Sequence, residues 1–297
     1  MTSPRRFVVT GLTGQVVQSL VARSSQCEDV EIVAIGRPNF DLANADTITQ
    51  SIEAARPELI VSAAAYTAVD QAESNEGDAF AVNAQGPAAL ARIAKTLDVP
   101  IIHLSTDYVF DGTKAAPYVE SDPVAPLGVY GTSKLLGEQL VASTHENHAI
   151  LRTAWVYSPF GRNFVRTILR AAETRTELGV VDDQVGNPTS ALDIADAILT
   201  VGRNLLGSND LAMRGIFHLT GRGAATWAEF AEEIFRVSKM MGGPFAKINR
   251  ISTSDYPTPA RRPANSRLNC ERIAEYHGVI LPNWKISTSG VVRHLTR

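Results

Sequence analysis

The chain has 297 residues, 44% of them hydrophobic, with 28 Lys and Arg against 31 Asp and Glu. A formal charge of −3 with no basic block leaves no electrostatic footprint for nucleic acid, and no apolar run approaches the roughly 18 residues that a membrane crossing needs. Cys27 and Cys270 stand far apart and match no metal-ligand spacing, so a reduced, cytoplasmic setting is expected.

In chain order, Arg5 and Arg6 lead into a short apolar strand at 7–10, too brief for the apolar core of a signal peptide. A glycine turn at 11–14 and a helix at 15–23 follow. A second strand spans 31–35, a helix 46–55, and a third strand 59–65, apolar except for Ser62. A long helical pattern over 79–97 passes through Pro100 into a strand at 101–105; then come a helix at 131–143 and a strand at 149–155. Strands without polar alternation are buried on both faces, and strands alternating with helices imply a parallel sheet. The expected fold class is α/β, a doubly wound parallel sheet that binds ligands at the carboxyl ends of its strands.

The second half reads as helices at 163–174, 190–204 and 227–241, a strand at 215–219, and an irregular proline-rich stretch from 242 to 269. This divides the chain into a dinucleotide-binding part, 1–155 with 185–220 returning to it, and a smaller C-terminal substrate-binding lobe, 156–184 with 221–297.

Thr10-Gly11-Leu12-Thr13-Gly14-Gln15-Val16-Val17 joins the first strand to the first helix. Gly11 permits the sharp turn, Gly14 lets the backbone approach a diphosphate, and the helix N-terminus presents free N–H groups to that anion. Val17 stands where a third glycine is expected, so the helix must shift outward or meet a small partner. At the end of the second strand Arg37 replaces the carboxylate that would bind ribose hydroxyls; a guanidinium there suits a 2′-phosphate and favours NADPH, with NADH possible. Asp41 and Leu42 border the adenosine side, and Ala63, Ala64 and Ala65 leave room for a ring against the backbone.

Thr106 ends the fourth strand, and Tyr130 and Lys134 are four apart, on one face of a helix. A free phenol has a pKa of about 10. A neighbouring ammonium lowers it toward the working range, and the expected trio polarises a ketone and protonates its oxygen as hydride arrives.

Together the turn, the strand-end Thr and the Tyr/Lys pair resemble the extended short-chain dehydrogenase/reductases, whose cofactor fold is Rossmann-type. The likeness covers essentially the whole chain and extends through Arg152-Thr153-Ala154-Trp155, Gly186-Asn187-Pro188-Thr189 and Arg261-Arg262-Pro263. The resemblance implies reduction of the C4 ketone of dTDP-4-dehydro-6-deoxy-L-mannose to dTDP-L-rhamnose. It makes Tyr130 the proton donor, Lys134 the ligand of the nicotinamide ribose, and Thr106 the group that orients the keto oxygen. Gly11, Thr13, Gly14, Gln15 and Val16 would meet the diphosphate, Tyr66 the middle of the cofactor, and Leu104 the cofactor through its backbone. Asp107 and Trp155 would line the sugar pocket, with Arg262 on the dTDP diphosphate. Asn163 would cap its helix, contact nucleotide, or do both.

Some members of the family dimerise through a metal held by glutamates; Val17-Gln18-Ser19-Leu20 has no carboxylate, so no metal is expected and the chain is read as a monomer or homodimer. Dehydration needs two carboxylates after the strand-end Thr, and Thr106-Asp107-Tyr108 supplies one. A sugar-nucleotide epimerase or another such reductase, and an NADP-binding regulatory subunit without turnover, remain the alternatives; net consumption of NADPH separates them.

Overall fold

Apolar runs decide the central layer. In the computed structural model, which describes residues 3–296, the first half forms β1 (Arg5–Thr10), α1 (Gln15–Ser24), β2 (Val30–Ile35), α2 (Ala45–Ala55) and β3 (Leu59–Ser62). After these come α3 (Val69–Ala72), α4 (Glu76–Phe80), α5 (Gly86–Thr96), β4 (Ile101–Thr106), α6 (Val129–Thr144) and β5 (His148–Thr153). Met1, Thr2 and Arg297, which the sequence-based division counts in its two parts, lie outside the described residues.

The second half adds β6 (Val156–Tyr157), α7 (Phe164–Ala172), β7 (Glu177–Val181), β8 (Val185–Gly186), β9 (Thr189–Ser190), α8 (Ala191–Gly207) and β10 (Gly215–His218). It ends with β11 (Ala225–Thr226), α9 (Trp227–Met240), β12 (Lys247–Ile251), α10 (Glu271–His277) and α11 (Trp284–Leu295).

Six strands form one sheet in the order β10-β5-β4-β3-β1-β2. Every pairing in it is parallel, with Val8 opposite Val33 on one side and Ile60 on the other. Consecutive apolar residues point to opposite faces. Val9, Ile102 and Leu151 pack with α1 and α8, whereas Val8, Ile101 and Ile150 pack with α5 and α6. Each such fully buried aliphatic contributes roughly 1.5–3 kcal/mol. Ile273, Val279 and Leu281 join the first of these cores, so a C-terminal segment expected in the lobe returns to the sheet. The strand order reverses between β1 and β3, and the crevice opens at their carboxyl ends. No helix among the described residues is long and apolar enough to cross a membrane.

Four elements depart from the sequence reading. The third strand stops at Ser62, because the Ala63 and Ala64 amides turn away to bond Thr10 Oγ1, each at 3.0 Å. The helix expected over 79–97 is interrupted by a π-helical turn, Ala81–Gln85. The fifth strand ends at Thr153, and Trp155 adopts a left-handed φ of 47°, which no strand continues. The proline-rich stretch hides β12, which pairs in parallel with β7 over five residues. The lobe core of Tyr157, Val165, Phe230, Ile234, Trp284 and Val292 lies among α7, α9 and α11.

Candidate active site

Gly11 has φ +103°, a conformation that glycine adopts without strain, so the chain can double back from β1. The Cγ2 of Val17 lies 3.3 Å from where a Gly11 Cβ would stand, and the Ala64 Cβ 3.5 Å. The missing third glycine is therefore accommodated by small partners: Val17 is buried in the space that Gly11 and Ala64 leave open. Gly14 caps α1 with no side chain on its free N–H groups and no acidic residue in the first turn. That end opens beside a cavity of about 310 Å³, lined by Gly11, Thr13, Arg37, Leu42, Ala64 and Ala65 among others. Bare amides, small side chains and one guanidinium form a cradle whose chemistry suits a dinucleotide.

Some residues assigned to this cradle are otherwise engaged. Arg37 is 72% exposed and pairs with Asp41 at 2.9 Å, so the two charges partly neutralise each other at the rim. Gln15 uses its side chain on the lobe, accepting from Ser158 Oγ at 2.9 Å, and keeps only its backbone for a diphosphate. The Leu104 carbonyl accepts from Lys134 Nζ at 2.6 Å. Val16 packs partly buried against the sheet core.

α6 carries the Tyr and Lys, and several contacts hold it in place. The Glu73 carboxylate accepts from the Val129 amide at 2.9 Å, a favourable charge at a helix N-terminus. Cβ atoms at Gly131 and Gly137 would lie 2.2 and 2.1 Å from the carbonyls of Tyr108 and Asn83, so only glycine permits this approach. Glu138 and Arg152, each 2% exposed, form a two-pronged ion pair at 2.9 and 2.7 Å between α6 and β5. Removing one partner of such a pair costs about 3–5 kcal/mol.

Asn83, on the π-helical turn, accepts from the Tyr66 amide at 2.8 Å and donates to the Tyr66 carbonyl at 3.1 Å and to Ser133 Oγ at 3.0 Å. It ties the loop behind the cradle to the helix of the Tyr/Lys pair. π-Bulges recur at functional sites. The sequence reading missed Asn83; its only signal is a poor helix former inside a helical pattern.

Thr106 Oγ1 donates to Asp107 Oδ1 at 3.0 Å and accepts from the Tyr108 amide at 3.2 Å. Asp107 Oδ2 is buried with no partner among the described residues. Burial raises the Asp107 carboxyl to about 6, opposed by hydrogen bonds from Ser266 and Thr106. Tyr130 stands edge-on to Tyr108, ring centroids 5.5 Å apart.

The expected lowering of the phenol is corrected. Burial pushes Tyr130 up to about 12; the Thr106 hydroxyl opposes the rise and the Asp107 charge adds to it. Lys134 is held by Leu104 rather than by the phenol, and burial pulls its ammonium down to about 8 against the favourable charge of Glu138. At neutral pH the phenol thus keeps its proton, the form an acid requires.

Trp155 lies flat on Trp227, centroids 3.6 Å apart and planes within 5°. Its left-handed backbone turns the indole off the strand and into the lobe, and Trp227 Nε1 donates to Gln184 Oε1 at 3.2 Å. Beside this stack a cavity of about 390 Å³ is lined by Phe164, Arg175, Trp227, Tyr256, Thr258 and Arg262, among others. Arg262 bonds Thr258 within the lobe and pairs at 2.9 Å with Asp70 on α3, across the crevice. Asn163 caps α7, accepting from Arg166 N at 3.2 Å, and donates to Ser158 O and Phe160 O. Its amide is occupied by the turn, so of its two expected uses the geometry supports the cap.

The family model described as RmlD substrate binding domain matches residues 5–297. The chain is 54% identical to a dTDP-4-dehydrorhamnose reductase of Sinorhizobium fredii, over 97% of this chain and 96% of the relative. A dTDP-4-dehydrorhamnose reductase from Clostridium acetobutylicum superposes with a TM-score of 0.91 at 34% identity, covering 98% of this chain and all of the other. The Bacillus anthracis enzyme in complex with NADP gives a TM-score of 0.90 at 30% identity, covering 98% and 99%.

Proposed function

Because the chain belongs to the RmlD substrate binding domain family, whose relatives above are dTDP-4-dehydrorhamnose reductases, we propose that it reduces the C4 ketone of dTDP-4-dehydro-6-deoxy-L-mannose to dTDP-L-rhamnose with Tyr130 as proton donor. The observation that carries this reading is the meeting of Tyr130 and Thr106: Thr106 ends β4, and its hydroxyl bears on the buried phenol of Tyr130 in the first turn of α6.

NADPH, when bound, supplies the hydride. Gly11, Gly14 and the first amides of α1 hold its diphosphate side, Ala64, Ala65 and Tyr66 border its middle, and Arg37 and Asp41 stand at the 2′-phosphate rim. Thr106 turns its hydroxyl proton from Asp107 to the keto oxygen. Tyr130 then gives its proton to that oxygen as negative charge grows on it. Lys134, one turn along α6 from Tyr130, donates to the nicotinamide ribose and places positive charge near the phenolate that remains. Asp107 accepts from a sugar hydroxyl through its free oxygen, Trp155 forms a flat apolar wall for the deoxysugar, and Arg262 meets the dTDP diphosphate after loosening its hold on Asp70. The setting is cytoplasmic, and the enzyme is a monomer or homodimer.

The test is an assay of the purified chain with NADPH and NADH against several dTDP-4-keto sugars, the product being identified by NMR. Stoichiometric NADPH oxidation with formation of dTDP-L-rhamnose is expected. Binding of NADPH without its consumption by any keto sugar overturns the reading in favour of a regulatory subunit, and cofactor regenerated in place points to an epimerase.

A further inference from the structure

His103 interrupts the apolar run of β4, a position where a histidine needs partners on both ring nitrogens. It is fully buried. Its Nδ1 stands 3.0 Å from Ser62 Oγ on β3, and its Nε2 is 3.5 Å from Lys134 Nζ on α6. The next residue in the strand, Leu104, offers its carbonyl to the same ammonium at 2.6 Å. Two consecutive residues of β4 therefore face one lysine, one through the backbone and one through an imidazole.

From this geometry we infer that His103 is a positioning residue for the reductase reaction: as the Nδ1–H tautomer it donates to Ser62, accepts from Lys134 through Nε2, and so fixes the ammonium at the base of the site. The inference rests on the reading of Lys134 as the ligand of the nicotinamide ribose. An ammonium has three donors and no acceptor, so it can be oriented only by acceptors. Leu104 O and His103 Nε2 engage two donors and leave the third for a ligand. A neutral ring is required, because an imidazolium has no lone pair left to accept with. Burial, Lys134 itself and His148 on β5 all hold His103 below its usual range. The other charged or titratable groups around the pair are Glu138, from the ammonium's own helix and bound to Arg152, and Tyr130 and Asp107 at the mouth of the site. None of these replaces the acceptor at Nε2.

Replacing the ring by an apolar side chain takes an acceptor from a buried cation. The ammonium then loses its proton more readily, so the alkaline limb of activity moves to lower pH. A glutamine places its carbonyl oxygen near the former Nε2 and restores the acceptor.

The experiment uses the full-length enzyme, once NADPH oxidation by the parent has been established, so that failure of the reaction itself is recognised separately. In His103→Leu, kcat is expected to fall about tenfold, with the KM for the keto sugar within about twofold and the alkaline limb about one pH unit lower. His103→Gln is expected to restore the parent's limb and most of its kcat. Equal losses in both variants with an unmoved limb would reduce His103 to a space-filling role and overturn the inference. The second measurement needs no folded Leu variant: ¹⁵N NMR of labelled histidine in the cofactor-free enzyme, with His103 assigned by the Gln variant. A protonated Nδ1 and a bare Nε2 are expected; the opposite tautomer, or a charged ring at neutral pH, overturns the inference.

Discussion

The two sides of the crevice are built differently. On the cofactor side, the proposed contacts lie in the loops that leave the strand ends and in the first two turns of α1 and α6, around a sheet buried on both faces. On the sugar side, the walls come from segments far apart in the chain, joined by ladders as short as two residues: β6 with β9, and β8 with β11. The lobe meets the cofactor half through Ser158 with Gln15 and Arg262 with Asp70, side-chain links that can give way. The difference teaches where exact placement matters. Proton transfer needs groups held to a fraction of an ångström, and these stand at the end of β4 and on α6 packed against it, whereas recognition of a bulky nucleotide sugar is left to walls that can adjust. Changes on the sheet side should therefore act on kcat, and changes in the lobe on KM.

The sharpest break of that contrast is Tyr130→Phe, which keeps the ring and removes the acidic proton. Loss of a general acid should lower kcat by about 10²–10³ with cofactor affinity kept; equal kcat in variant and parent removes Tyr130 from the chemistry. Next is the packing of the dinucleotide turn. Val17→Gly restores the expected third glycine but empties a filled space and weakens a helix, so unfolding free energy should drop by about 2–3 kcal/mol in urea titrations. A gain in stability would mean that Val17 strains the turn.

The ionisation of Lys134 gives a pH signature. Its ammonium is held down to about 8 by burial, and the charged form is the working one, so kcat/KM for NADPH is lost as pH rises through that value. A decline of about tenfold per unit is expected above it, and a flat profile to about pH 10 contradicts the role. In the lobe, Trp227→Ala removes the ring that backs Trp155. A stacked pair is worth about 0.5–1.5 kcal/mol, so the sugar KM should rise up to about tenfold with kcat nearly kept; a kcat effect instead would erase the distinction between the two sides. The smallest effect is expected at the rim. Arg37→Ala should raise the KM for NADPH about fivefold and leave NADH unchanged, because the exposed guanidinium is screened and already shared with Asp41. Equal effects on both cofactors would show that it does not read the phosphate.

Much of the cofactor half was legible because its signals are local. A strand, a glycine turn and a helix follow one another within 20 residues of β1, and Tyr130 and Lys134 lie one helical turn apart. The misjudged points were decided by distant partners. The third alanine-rich strand ends early because Thr10 captures its amides. Trp155 leaves the strand to stack on Trp227 from α9. The helix pattern over 79–97 gave no warning of the π turn, since apolar periodicity cannot register one extra residue per turn until α6 packs against it.

Residue order alone determined the alternation of strands and helices, the bare helix end for an anion, and the spacing that puts a phenol and an amine on one face, all properties of neighbours a few residues apart. Only the folded chain decided which acceptor holds the amine, which way the indole turns, and how high burial drives the phenol. These depend on dielectric surroundings and on hydrogen-bond partners that arrive from other strands, and no short stretch of sequence contains them.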